Sequence, residues 1–426
     1  MTQHGRWHRL HPLSPAVPTG RVVLAFAVIF LPSFAGGGGG AWDALGHLVA
    51  LLAVVGLGFV SWLVTRWRVE GGDLRIETGL LRRSSQRFPL SQVQAIDTVR
   101  PGLARVFGLA ELRLRMGGSG GAARLAYLPV AQAEALRARL LALSRGAHED
   151  TPEPEDRPLV RVPVRRVAGS LLLSGPVLVL FVYAAILAGL ELGGGSARAV
   201  AGLALPILLG DAVAIWRRFN RAYGATVAAA PEGLRFRSGL VETNAETIPE
   251  GRVQAVQLVE PILWRPFGWC RVDVDVAGRV REHGEDRRGG RELRAVLPVG
   301  TRAEAETLLQ LLVPGAPSPH RRPPRRARWK SPLRYRRLGF DYDARYAATA
   351  AGRLGRVQVW VPLAKVQSLR RVEGPVQRLL RVATVHLDTA GKRVGAALRD
   401  VDAAGSVRDL ERLIELARTA RRESTV

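Results

Sequence analysis

The stretch VQAIDTVRPGLARVFGLAELRL, beginning at Val93, is echoed by VQAVQLVEPILWRPFGWCRVDV, beginning at Val253. In both, a proline follows the glutamine by seven residues (Gln94 to Pro101, Gln254 to Pro261), an arginine by eleven (Arg105, Arg265) and a glycine by fourteen (Gly108, Gly268). A phenylalanine precedes each glycine, Phe107 and Phe267. Spacing held through five positions requires a repeated structural unit, because a slip of one residue in a strand turns every side chain to the other face. A third, weaker copy holds Gln367, with Pro375 eight residues on, and lacks the Phe-Gly pair.

One unit can be read locally. LRIETGLLRRSSQRFPL places apolar residues at Leu74 and Ile76, a turn at Gly79 where positive φ is free, and a return strand through Phe88 and Leu90. ELRLRM and RVDVDV alternate apolar with charged residues, the pattern of antiparallel strands with one wet face. Each copy then ends in a three- and four-residue apolar spacing, as at Ala135, Leu136, Leu140 and Leu141, which predicts an amphipathic helix over a bent sheet. Pro101 and Pro261 fall between strands, where a missing N–H costs no ladder bond.

Four stretches, Val22 to Gly36, Ala44 to Val64, Val167 to Leu190 and Val200 to Trp216, are nearly free of charge and approach the roughly 20 residues that cross a bilayer core. Read as two hairpins with arginines at their outer ends, they predict four transmembrane helices with both termini and all large polar segments in the cytoplasm. Of the net charge of +25, about +15 falls in residues 314–426, an excess that an anionic leaflet attracts and that, beside apolar spans, argues against nucleic acid.

A strand hairpin with glycine, PLxxVQ, a proline loop, FG and an alternating strand together resemble the bacterial pleckstrin-homology-like (PH-like) domain of the second type. The resemblance implies PH-like β-barrels, each capped by a C-terminal helix, in a multi-pass protein of the bacterial cytoplasmic membrane. The expected organisation is an N-terminal tail and hairpin (1–65), domain 1 (66–146), a linker (147–166), a second hairpin (167–216), domain 2 (217–313), an Arg/Pro-rich linker (314–332) and a divergent domain 3 (333–426).

No catalytic machinery is legible. HExxH, Walker-type and CxxC motifs are absent, the eight histidines are scattered, Cys270 is alone, and the GGSGG run around Ser119 reads as a hairpin turn. The expectation is a non-enzymatic protein with no cofactor and no metal, acting as a protein-interaction scaffold in envelope physiology; the alternative is anionic-lipid binding or handling. Candidate contacts are Arg75, Arg82, Arg83 and Arg87 of the first strands and Arg321, Arg322, Arg325, Arg326, Arg328 and Trp329 of the linker. That linker reads either as a solvated spacer or as a membrane-surface anchor. The repeat residues read as structural, with each phenylalanine in a core, or as a partner surface. A protein partner or self-association and anionic phospholipid are the expected partners, and Asp211 within the fourth span is a candidate for an ion or proton role.

Overall fold

The computed structural model describes residues 7–12, 14, 46, 49, 52–53, 55–56, 59–60, 62–70, 73–79, 84–116, 122–144, 157–192, 197–230, 233–249, 251–276, 294–353, 355–391 and 394–423. The chain forms two compact units, residues 1–157 with 230–247, and residues 158–229 with 248–426.

In the first unit, β1 (His8–Arg9), β2 (Arg66–Glu70), β3 (Asp73–Thr78) and β4 (Ser84–Pro89) form an antiparallel sheet in that order. After one 3₁₀ turn come β5 (Val93–Arg100), β6 (Leu109–Met116) and β7 (Ala122–Pro129), closed by a helix, Val130–Ser144. The alternation read in ELRLRM places Leu112 and Leu114 in a core with Leu74, Ile76, Phe88, Leu90 and Leu140. β8 (Arg157–Arg161) and β9 (Thr226–Ala230) belong largely to the second unit; β10 (Gly233–Ser238) and β11 (Thr243–Pro249) belong to the first, where β11 pairs antiparallel with β5.

The second unit repeats the plan. β12 (Val253–Glu260), β13 (Trp269–Val276) and β14 (Arg294–Thr301) precede a helix, Arg302–Leu312, that opens on a Thr301/Glu304 capping box. β15 (Gly339–Tyr342), β16 (Tyr346–Ala351) and β17 (Arg356–Pro362) follow, then β18 (Val366–Val372), β19 (Val382–Thr389), β20 (Ala396–Asp402) and the helix Ala403–Glu423. The sheet order is β14-β13-β12-β17-β16-β15, with β18-β19-β20 separate. The third copy's core gathers Val359, Val361, Val385, Leu387, Leu398, Leu413 and Ala417.

Two expectations are corrected. The hydrogen-bonded units are open antiparallel sheets, and the last three strands of one copy join edge to edge with the first strands of the next, β5 to β11 and β12 to β17, in place of three separate barrels. Among the described residues no single helix is long and apolar enough to cross a membrane, so the expectation of four transmembrane helices is not supported. The Val167 to Leu190 stretch is two helices, Val164–Leu172 and Gly175–Leu192, bent by 50°. Pro176 has no N–H for the preceding turn and its ring crowds the carbonyl four residues back, which forces the break. The first leg is held by the second copy, with Val167 buried, Gly169 against Trp269, and Arg166 on Glu304 at 2.8 Å. The remaining 18 residues span only about 27 Å of a core about 30 Å thick. The helix Ala197–Ala222 carries Asp211 within its apolar run and Arg198, Arg217, Arg218 and Arg221 toward its ends. The stretch Val22 to Gly36 lies outside the described residues, and the described residues of Ala44 to Val64 are helical.

Candidate functional site

The repeated glutamines mark one structural event. In every copy the strand carrying the glutamine skips it in the register: Val93 faces Met116 and Ala95 faces Arg115, Val253 faces Val276 and Ala255 faces Asp275, Val366 faces Thr389 and Ser368 faces Asp388. Gln94, Gln254 and Gln367 are the extra residues of matching β-bulges, which bend the strand toward the loop that follows. That loop is a single helical turn: Gly102–Val106, Ile262–Phe267 and Pro375–Leu379. Gly108 and Gly268 close the first two turns at φ of 66° and 64°, and Arg381 closes the third at 51°. The third copy thus keeps the left-handed position without its glycine. Pro375 is the first residue of its helix, one place later than Pro101 and Pro261, and Arg378 takes the place of Arg105 and Arg265.

These turns are not core. Phe107 is 43% exposed and Phe267 56%, with Val106, Ile262, Leu263, Val376 and Leu379 also exposed. Phe267 stacks on Trp269 at 4.9 Å, which leaves one face open. The arginine points out of each turn; Arg105 donates to the Leu240 carbonyl and so ties the first turn to the β10–β11 loop.

The Arg/Pro-rich linker is no free spacer. Its residues fold against the third copy and divide into an inward and an outward set. Inward, Arg321 lies over Phe340 at 4.8 Å and reaches Asp409 at 3.5 Å, Arg326 pairs with Asp402 and donates to the Arg381 carbonyl, and the Trp360 indole N–H donates to the Pro317 carbonyl at 3.0 Å. The Gly405 N–H holds the Asp402 carboxyl below its ordinary range. Lys330 Nζ reaches Asp400 Oδ1 at 2.6 Å, Ser331 Oγ donates to Oδ2 at 3.3 Å, and Gln377 Nε2 donates to the same carboxylate at 2.8 Å. Asp400 is 3% exposed, so these donors are what its buried charge requires.

Asp400 therefore joins the linker helix Ala327–Lys330 to the turn Pro375–Leu379. On and beside the two elements that meet there, large apolar side chains are exposed to solvent. Trp329 is 77% exposed, Leu333 76%, Leu379 84% and Val376 54%. Arg325, Arg328 and Arg378 are exposed among them without an acidic partner among the described residues, and Arg328 lies 6.0 Å from the Trp329 ring. Arg322 instead lines a cleft of about 340 Å³ with Arg321 and Arg408. A second cleft of about 260 Å³ has Val357, Val359 and Ala397 among its lining residues, with Arg334, Arg353 and Arg399.

On the first strands, Arg75 is already engaged: it pairs with Glu77 at 2.9 Å, donates to Ser85 Oγ at 2.9 Å, and lies directly between Arg68 and Arg87 in the register. Arg87 is exposed, while Arg82 and Arg83 lie outside the described residues. Asp211 is half-buried on the helix Ala197–Ala222. No group of three or more His, Cys, Asp or Glu suited to a metal occurs among the described residues. The patch was hard to read because Leu333, Val376, Arg378 and Leu379 sit in segments with no motif of their own; the repeat spacing from Gln367 was the one signal that located Arg378.

A family model for the bacterial PH domain matches residues 25–144, 176–313 and 296–413. The first two matches begin inside apolar stretches that precede the strands, so those stretches belong to the repeated unit. No curated protein and no solved structure matches the chain.

Proposed function

The chain belongs to the bacterial PH domain family, and on that premise we propose that it is a non-enzymatic binding protein whose third domain docks on an anionic phospholipid surface. The observation that supports this is the patch at Trp329, Leu333, Val376 and Leu379 with Arg325, Arg328 and Arg378 among them. Exposed apolar side chains of this size, with arginines that have no acidic partner among the described residues, suit an interface in which rings and alkyl groups enter the headgroup region and guanidinium groups meet phosphate. Each basic residue near such a surface contributes about 1 kcal/mol. Three arginines then supply about 3 kcal/mol, roughly a hundredfold in affinity.

The test is co-sedimentation of the full chain with vesicles of phosphatidylglycerol and of phosphatidylcholine across a salt series. Binding should require the anionic lipid and weaken with salt, and the Arg325→Ala/Arg328→Ala/Arg378→Ala variant should lose roughly a hundredfold in affinity for the anionic vesicles while Trp329→Ser loses several-fold. Equal binding to both vesicles, unaffected by these changes, would defeat the reading. A second reading, a protein-interaction scaffold, is favoured by the strand-to-strand joints between copies, since an open sheet edge takes an extended segment by main-chain hydrogen bonds.

A further inference from the structure

The chain uses one joint twice and leaves both of its halves over at the ends. The strand after the bulge in copy 1 takes the third strand of the next copy: Thr98 faces Ala245, Val99 faces Asn244 and Arg100 faces Thr243. Copy 2 repeats this with Leu258 facing Gln358, Val259 facing Val357 and Glu260 facing Arg356. Counted from the bulge glutamine on one side and from the proline that ends the third strand on the other, the two registers are identical. Thr98 and Leu258 each lie four residues after the glutamine, and Ala245 and Gln358 each lie four before the proline.

β18 is the corresponding strand of copy 3, and among the described residues its sheet order is β18-β19-β20, with nothing beyond β18. β4 is the remaining third strand, and it ends the order β1-β2-β3-β4. Both open edges are wet: Gln367, Ser368, Arg370 and Val372 of β18 are exposed, as are Ser84, Ser85, Gln86 and Arg87 of β4. Unpaired edges of this length are templates for another strand unless something covers or blunts them.

We infer that β18 of one chain pairs antiparallel with β4 of a second copy, in the register of the two internal joints. That register sets Arg371 opposite Ser85, Val372 opposite Ser84, Arg370 opposite Gln86 and Leu369 opposite Arg87. No like charges meet directly, whereas a slip by one residue sets Arg370 against Arg87, which is unfavourable. The second copy is the occupant because the two internal joints select this strand type, and β4 is the one such strand whose edge is left open among the described residues. Each chain then offers one β18 edge and one β4 edge, so the contact either closes, reciprocally between two chains or around a larger ring, or runs on as an open filament.

The test uses two single variants of the full chain, Val372→Cys and Ser84→Cys, mixed under mild oxidation without lipid. Directly opposed residues bring Cα atoms into the separation a disulfide tolerates. The native Cys270 does not interfere, because burial pushes its thiol up to about 12. The expected product is a disulfide between the two variants, identified by peptide mass spectrometry, forming at least about fivefold faster than with Gln86→Cys, which lies two residues out of register. Wild-type chain should also gain mass with concentration in sedimentation. A mass fixed at one chain up to about 100 μM, well above the affinities of most specific interfaces, or equal crosslinking in and out of register, would overturn the inference. Neither result depends on the lipid patch, whose residues are different ones.

Discussion

Replacing Lys330 by Met removes the one cation among the described residues that pairs with the Asp400 carboxylate and keeps a side chain of similar length. Asp400 is 3% exposed and its remaining donors, Ser331 Oγ at 3.3 Å and Gln377 Nε2 at 2.8 Å, are neutral. Taking one partner from a fully buried pair costs about 3–5 kcal/mol. The Lys330 side chain is 32% exposed, so water reaches its position and the cost should fall to about 2 kcal/mol. That corresponds to about a thirtyfold rise in opening of the linker. Hydrogen exchange of the full chain, read by mass spectrometry on peptides covering residues 314–332, measures it directly. Wild type should show protected amides there, and Lys330→Met should exchange about thirtyfold faster. Adding Asp400→Asn should recover most of the loss, since the charge is gone and asparagine tolerates the φ of 53° at this position. If Lys330→Met changed exchange by less than about threefold, or the second substitution made it worse, the buried carboxylate would not be what fastens the linker.

Two further outcomes follow from backbone and charge. A Cβ added at Gly268 would meet nothing within 4 Å, so Gly268→Ala should cost only the left-handed backbone, about 1 kcal/mol; Gly352→Ala would drive its Cβ into the Gly355 carbonyl and should cost several times more, while Arg381→Gly should raise Tm by about 1–2 °C. Thermal melts of the three variants decide this, and equal losses at Gly268 and Gly352 would be inconsistent with it. Burial pushes the Glu304 carboxyl up, but hydrogen bonds from Arg166 and the Thr301 N–H outweigh it, and its value in the fold lies below the ordinary 4.5. The stabilisation is therefore present above about pH 4.5 and is lost as pH falls through the lower folded value. Asp273, which burial pushes up, works in the opposite sense, so the measurement is the difference between wild type and Glu304→Gln in denaturant melts across pH 3–6. That difference should shrink as the solution becomes more acidic; a difference that is flat with pH would refute the assignment.

The repeat spacing, the proline loop between strands and the strand alternation were legible because they are local, while the bulge at each glutamine emerged only from the strand pairing. Gln94, Gln254 and Gln367 carry the register of their own hairpins, and Gly108 and Gly268 meet a positive φ that few other residues accept. What failed was anything that depends on distant residues. HRRPPRRARWK reads as a solvated spacer by composition, yet its partners Asp400, Asp402 and Asp409 come 70 to 88 residues later, and no local pattern announces them. Phe107 and Phe267 look like core residues because aromatics usually are; a one-turn helix at a sheet end has no second layer to cover them. Hydropathy read Val167 to Leu190 as one span, whereas Pro176 and the amphipathic first leg, with Val167 and Ser170 buried, divide it. The joint between copies was equally invisible, since a strand's outer edge carries backbone groups that any sequence supplies.

The division of the linker bears on the proposed docking of the third copy on an anionic surface despite its acids. Asp400, Asp402 and Asp409 are taken by Lys330, Arg326 and Arg321, all within one folded segment. Those pairs neutralise themselves and hold the segment, while Arg325, Arg328 and Trp329 stay exposed. Had the linker been loose, its arginines would have spent their freedom on whichever acid lay near, and ordering them on a surface would have cost side-chain and backbone entropy of about 1–2 kcal/mol per residue. Fastened in advance by Asp400, the outward residues would meet the proposed lipid surface with that cost already met by folding. A loosened clasp should then weaken lipid binding without touching the patch, so Lys330→Met should reduce vesicle affinity although Lys330 itself faces inward.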